Sequence, residues 1–130
     1  MEMGIRGIGV DAVAIERMDA QRMRAHAVAR LFHGTEVEHA NALTTNRAEF
    51  LASRFAAKEA LVKALGCGFR GIFPAEIAVV TNEKGRPEFL LPERVIKEFS
   101  LDRSTIHLSL THEGPLALAF VIVEDRHGSF

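Results

Sequence analysis

The stretch Lys58-Glu-Ala-Leu-Val-Lys-Ala-Leu-Gly-Cys67 reads as a helix that carries charge on its apolar side. Stepping 100° per residue from Phe50, the side chains of Phe50, Leu51, Phe55, Leu61, Val62 and Leu65 fall within about 140° of one another, a wide core-facing stripe. Arg54 and Lys58 land inside that stripe. Glu59 falls just past its edge and Lys63 about 40° further round. Most of the remaining circumference is Ser53, Ala56, Ala57, Ala60 and Ala64, small enough for another backbone to approach closely. Buried charge without a partner is costly. A helix that leaves little face for water and still holds cations and an acid near its stripe therefore marks a site.

Outward from this helix, the chain alternates short elements. Asn46-Arg-Ala-Glu49 is a start signal for the long helix, and Gly66 with Gly68 ends it. Upstream, Ile5 to Val10 reads as a glycine-softened strand ending at Asp11. Ile15 to about Ala25 reads as a basic helix with Arg17, Arg22 and Arg24, and Ala27 to Phe32 either continues it or starts a short second helix. Thr35 and Glu38 match a capping box for a helix running to about Ala42. Downstream, Cys67 to Pro74 is a glycine-containing loop. Ile77 to Thr81 and Glu88 to Leu91 form a hairpin about a turn at Asn82-Glu-Lys-Gly85. Glu93 to Phe99 is a short helix with Pro92 in its first turn. Ile106, Leu108 and Leu110 alternate with His107, Ser109 and Thr111, the period of a half-buried strand. After a turn at Glu113-Gly-Pro115, Leu116 to Glu124 is the most apolar strand and is expected at the centre. The class is α+β: a mostly antiparallel sheet packed against one long central helix, in a single domain spanning 1–130.

Composition narrows the function. The chain has 130 residues, 48% hydrophobic and 25% charged, with a net charge of −1, an ordinary globular balance that argues against bulk nucleic-acid binding. The single cysteine, Cys67, excludes an internal disulfide and a cysteine-based zinc site and fits a reducing, cytoplasmic compartment. The opening Met1-Glu-Met-Gly-Ile-Arg lacks the basic-then-apolar pattern of a signal peptide. The longest apolar run, Leu116 to Val123, is too short to cross a bilayer.

Asp11 and Glu59 come from separate elements, with no thiolate or histidine tied to them. Paired carboxylates of this kind suit a hard cation such as magnesium, which is readily shared with substrate phosphates. The structural alternative is that Asp11 caps the next helix and Glu59 pairs with Lys63 four residues on. Arg54, Lys58 and Lys63 lie on successive turns, where arginine can hold phosphate as a fork and lysine as a point charge. Alternatively, their stems simply cover apolar surface, which suits Lys63 better than Arg54 or Lys58. His112, with Thr111, ends a strand and reads as the lining of a ligand cleft. Ser109 has no nucleophile elbow around it, and neither a dinucleotide fingerprint nor a P-loop is present.

Three segments together resemble the holo-[acyl-carrier-protein] synthases, the short bacterial 4′-phosphopantetheinyl transferases. They are Gly7-Ile-Gly-Val-Asp-Ala-Val-Ala-Ile-Glu-Arg17, Arg54-Phe-Ala-Ala-Lys-Glu-Ala-Leu-Val-Lys-Ala-Leu-Gly66 and Ile106-His-Leu-Ser-Leu-Thr-His-Glu113. The resemblance spans nearly the whole chain, in order. It implies a magnesium-dependent transferase that moves the 4′-phosphopantetheine arm of coenzyme A to a serine of apo acyl carrier protein, releasing adenosine 3′,5′-bisphosphate. It implies metal ligation by Asp11 and Glu59, with Glu59 and Lys63 catalytic. It implies coenzyme A binding by Arg54, Lys58, Lys63, Gly85, Pro87, Thr111 and His112, and carrier docking by Arg17 and Arg24. It further implies a cytoplasmic homotrimer, with the coenzyme between subunits, working in lipid metabolism and fatty acid biosynthesis. The residues themselves do not choose among fatty acid, polyketide and peptide carriers. His33-Gly34 adds no basic residue to the docking surface, and Phe69-Arg-Gly-Ile72 matches no assignable pattern. Two other readings share the metal site: an inert coenzyme A-binding or assembly module, and a magnesium-dependent phosphohydrolase acting on coenzyme A.

Overall fold

The computed structural model describes residues 4–126; the opening methionines, and with them the domain's outermost ends, lie outside the described residues. Its centre is α3, Arg47–Leu65, packed on a three-stranded antiparallel sheet of β1 (Gly4–Ala14), β4 (Ser104–Glu113) and β5 (Leu116–Asp125). The order is β1-β5-β4, so the most apolar strand is central, as expected. Ala117, Ala119, Val121 and Val123 of β5 are buried against the helix. A second, two-stranded sheet pairs β2 (Ala78–Thr81) with β3 (Pro87–Leu90).

Gly7 and Gly9 explain why β1 can lie so close to α3. A Cβ added to either would come within 1.8 Å of a helix carbonyl oxygen, that of Ala64 or of Ala60. The small sector of α3 therefore receives a backbone of its own chain. Ten residues of α3 are buried within a single chain. The same strand carries an irregularity between Ile5 and Gly7. A bulge re-aims the residue it contains, and here Arg6 reaches the Phe99 and Ser100 carbonyls that end α4, Glu93–Glu98.

Four local expectations need correction. β1 runs past Asp11 to Ala14, placing Asp11 within the strand. The basic segment is not one helix. Ile15–Met18 makes a single 3-10 turn, and Asp19 then accepts from the backbone N–H groups of Gln21 (3.1 Å) and Arg22 (2.9 Å), a local bond that competes with helix. Helix resumes as α1, Ala25–Leu31. α2, Gly34–Ala42, is capped two residues earlier than expected: His33 Nδ1 accepts from Thr35 N–H (3.2 Å) and Glu36 accepts from His33 N–H (3.0 Å). Glu36 is buried on Lys58 at 2.5 Å, and this selects the register. Pro92 caps α4 from outside its first turn.

Both ends of α3 follow backbone chemistry. Asn46 takes the left-handed conformation (φ 61°) without a side-chain cap, which asparagine tolerates better than most residues. Gly66 (φ 72°) closes the other end, its N–H donating to the Lys63 carbonyl. Among the described residues, no helix is long and apolar enough to cross a membrane.

Candidate active site

Pairing with β5 fixes which way Asp11 faces. Asp11 stands opposite the buried Ala119, so it shares the helix-facing side of β1 with Gly9 and Val13. The close glycine contact brings that side against the turn of α3 carrying Glu59 and Lys63. Lys63 Nζ donates to Asp11 Oδ1 at 2.8 Å and to the Val10 carbonyl at 3.2 Å. The Asp11 hydrogen bond, and then its charge, raise the Lys63 pKa, so this ammonium stays charged. Glu59 is shifted up by burial first and the Asp11 charge second, against the opposing charges of Lys63 and Arg17. Asp11 thus pairs with Lys63 across elements. Among the described residues Glu59 makes no ion pair with Lys63, and the 3-10 turn after Asp11 has no side-chain cap.

Two carboxylates that repel one another beside a single ammonium ask for further positive charge. No cluster of three or more metal-ligating side chains occurs among the described residues. Asp11 with Glu59 fits magnesium nonetheless, since that ion commonly takes one or two protein carboxylates and fills its shell with water and substrate phosphate oxygens.

A second feature lies along the N-terminal half of α3. A cavity of about 310 Å³ is lined by Arg54, Thr111 and His112 together with His39, Glu49 and Phe50. Arg54 lies 4.3 Å over the Phe50 ring and donates through Nη1 to Ser53 Oγ at 3.1 Å. Its buried Nε has no hydrogen-bond partner among the described residues. His112 Nδ1 lies 3.5 Å from Glu49 Oε1, and His39 stacks on Phe50 with ring centroids 4.4 Å apart. Arg54, Thr111 and His112 are therefore brought together. His39, Glu49 and Phe50 were not anticipated as lining. Phe50 reads as core in the helical pattern, and nothing local in the sequence distinguishes His39.

Lys58 is a correction. Burial lowers its pKa while Glu36 opposes the shift, and it is fully buried. Its Nζ donates to Glu36 Oε1 (2.5 Å), Pro74 O (2.9 Å) and Leu31 O (3.1 Å). An ammonium has three protons, and all are taken by protein, so Lys58 has none left for a coenzyme phosphate. Gly85 (φ 79°) and Pro87 belong to the β2–β3 hairpin and do not line the Arg54 cavity within the chain. Arg17 lies on the 3-10 turn, close enough to Glu59 for its charge to be felt, and Arg24 is an exposed residue at the start of α1.

Residues 7–121 match the family model of the 4′-phosphopantetheinyl transferase superfamily. The holo-[acyl-carrier-protein] synthase of Clostridium botulinum (strain Eklund 17B / Type B) is 40% identical over 121 residues, covering 92% of this chain and 98% of the relative. That of Trichlorobacter lovleyi is 43% identical, over 92% and 98%. Among solved structures, the Neisseria meningitidis holo-[acyl-carrier-protein] synthase superposes with a TM-score of 0.84 at 30% identity, over 93% and 99% of the two chains. The Bacillus anthracis enzyme, solved in complex with CoA (3′,5′-ADP), gives 0.78 at 30% identity, over 94% and 98%. With this geometry and these likenesses, the chain belongs to the holo-[acyl-carrier-protein] synthase family of the 4′-phosphopantetheinyl transferase superfamily.

Proposed function

We propose that this chain transfers the 4′-phosphopantetheine arm of coenzyme A to a serine of apo acyl carrier protein in a magnesium-dependent reaction, releasing adenosine 3′,5′-bisphosphate. The observation that carries this reading is the cluster of Asp11, Glu59 and Lys63, within a family whose members bear the synthase name. The serine oxygen forms a bond to the phosphorus on the pantetheine side, and the pyrophosphate bond to the adenosine side breaks. Such transfers depend on positioning and charge neutralisation more than on covalent help. Bound magnesium, held by Asp11 and Glu59, supplies charge neutralisation at the pyrophosphate. Lys63 offers its ammonium to the leaving phosphate as negative charge builds, and Glu59 or a bound water takes the serine proton. Arg54, Thr111 and His112 hold the phosphate at the adenosine end in the cavity they share.

The carrier docks by its acidic surface on Arg17 and Arg24. The working form is a homotrimer, supported by the outer sheet face, where Ile8 (58% exposed), Val10 (54%), Phe120 (44%) and Leu116 (39%) stand open. The apolar reach of α3 lends no such support, because a single chain already covers it. A neighbouring subunit would bring its Gly85–Pro87 turn to the coenzyme cleft. The setting is cytoplasmic fatty acid biosynthesis, with neither nucleic acid nor membrane as partner.

Mass spectrometry of an apo carrier protein incubated with coenzyme A, magnesium and this chain tests the reading. Addition of one phosphopantetheine supports it. Coenzyme A cleaved without transfer would assign the site to a phosphohydrolase, and coenzyme A left intact to an inert binding module.

A further inference from the structure

The N-cap of α2 is His33, at a position where serine, threonine, asparagine or aspartate usually stands. Thr35 N–H donates to His33 Nδ1 at 3.2 Å, and the Thr35 hydroxyl oxygen lies 3.0 Å from the same nitrogen. A backbone N–H can only donate, so Nδ1 keeps its lone pair and the ring proton sits on Nε2. A second proton on the ring would fill that lone pair. The cap would lose its acceptor and place a positive charge at a helix N-terminus, where cations are unfavourable. A hydroxyl or amide cap has no such response. This one can be switched off by acid in the range where histidine titrates.

The helix so capped reaches the coenzyme end of the site. Glu36 Oε1 accepts from His33 N–H at 3.0 Å and from the buried Lys58, while Oε2 accepts from Val79 N–H of β2 at 2.8 Å. One turn further on, His39 stacks on Phe50 with centroids 4.4 Å apart, and the Phe50 ring carries the Arg54 guanidinium at 4.3 Å. His39, Phe50 and Arg54 all line the cavity that also holds Thr111 and His112. Cap, buried ion pair and cavity wall therefore share one helix of nine residues.

Nothing around the cap is set to hold an imidazolium. Among the described residues, the rings of His107 and His112 lie beside carboxylates and that of His33 does not. The acid of the cap, Glu36, is matched by Lys58. Of the elements packed around α2, α3 brings the cations Lys58 and Arg54, α1 brings Arg30 and His26, and β2 brings no titratable group. The Pro74–Glu76 turn brings Glu76, which Arg94 grips, and α2 itself carries Glu38 and His39 beyond the cap. We propose that His33 is a positioning residue that makes coenzyme A binding depend on the protonation of a helix cap. With Nδ1 unprotonated, α2 holds Glu36 and His39 in place beside the Arg54 cavity; with Nδ1 protonated, its first turn frays and the cavity wall loosens. This rests on the transferase reading and adds a control at its coenzyme end.

Calorimetric titration of coenzyme A into the full chain, from about pH 8 to about pH 5.5, tests the proposal with His33→Asn and His33→Ala beside wild type. Asparagine caps a helix and does not titrate. His39, His112 and Glu49 also line the cavity and titrate in every variant, so the ratio of the wild-type Kd to that of His33→Asn removes their share. That ratio should rise about fivefold on acidification, the scale of one helix cap. His33→Ala should bind more weakly than wild type already at the upper pH. Amide protection at Thr35, corrected for intrinsic exchange, should fall in acid in wild type and hold in His33→Asn. A flat Kd ratio, with wild type binding coenzyme A and modifying the carrier, would overturn this inference and leave the transferase reading intact, even if Thr35 protection falls. A wild-type chain that binds no coenzyme A at any pH would overturn both.

Discussion

Gly9 of β1 lies so close to Ala60 of α3 that a Cβ on the glycine would sit 1.8 Å from the Ala60 carbonyl oxygen. Asp11 follows two residues later on the same face, and Glu59 precedes Ala60. The contact therefore sets the spacing of the candidate site. Gly9→Ala must push strand from helix, because the obstacle is backbone and cannot rotate away. The expected cost is at least about 1–3 kcal/mol by urea denaturation, with a larger proportional loss of transfer activity than of folded protein. A variant of wild-type stability and activity would show that the approach is not needed.

Lys58 and Glu36 should behave as a buried, interlocked pair. Lys58→Met leaves the Glu36 carboxylate buried without its cation, and removing one partner of such a pair typically costs about 3–5 kcal/mol. Adding Glu36→Gln to Lys58→Met removes the orphaned charge while keeping an oxygen to accept from the His33 or Val79 N–H. The double variant should therefore recover part of the loss in equilibrium unfolding. Simple additivity of the two substitutions would contradict the coupling.

Asp11→Asn and Glu59→Gln should each reduce transfer by roughly 100- to 1,000-fold, the usual scale for losing one electrostatic group at a reacting centre. EDTA should stop wild-type turnover, and magnesium should restore it. Glu59 has a raised pKa, so in the folded chain its charged form is disfavoured by burial and by Asp11. Glu59→Gln should accordingly raise Tm in EDTA at neutral pH while lowering activity by that factor. A lower Tm would mean that Glu59 is a stabilising group rather than one held for function.

Lys63 and Arg54 should divide the work. Lys63→Ala is expected to lower kcat, because its charge matters most as the leaving phosphate gains charge. Arg54→Ala should chiefly raise KM for coenzyme A, since its contact already exists in the bound ground state. Steady-state kinetics with the opposite split would reverse these roles.

Glu76 supplies the pH test. Burial pushes its pKa up, but hydrogen bonds from Arg94 and the Phe73 N–H, with the Arg94 charge, outweigh this and hold it below the ordinary value. Its folded pKa being depressed, its contribution is present above the unfolded carboxylate pKa and fades as pH falls through the folded one. The Tm difference between wild type and Glu76→Gln should therefore be greatest near neutrality and vanish in acid. A difference that grows on acidification would reverse the sign.

Hydrophobic period and motifs contiguous in the chain already show the long helix, a central β5 and the family, whereas the strand order β1-β5-β4 came only with the fold. The family resemblance grouped Asp11, Glu59 and Lys63, whereas their spacing alone left open Asp11 as a cap, Glu59 paired with Lys63, and the Lys63 stem over apolar surface. Tertiary structure alone decided that Lys63 pairs with Asp11 instead of Glu59, and that Lys58, in the same stripe as Arg54, spends all its protons inside the protein. A helical wheel gives a side chain's direction but not what waits there. Lys58 meets Glu36, Leu31 and Pro74 from three other segments, while the partnerless Nε of Arg54 lies beside a cavity that His39 and Phe50 help to line. The basic segment after Asp11 was lost as a helix to one Asp19 turn, a local bond that side-chain periodicity does not register. Where chemistry depends on partners distant in sequence, burial and hydrogen-bond satisfaction appear only once the chain has folded back on itself.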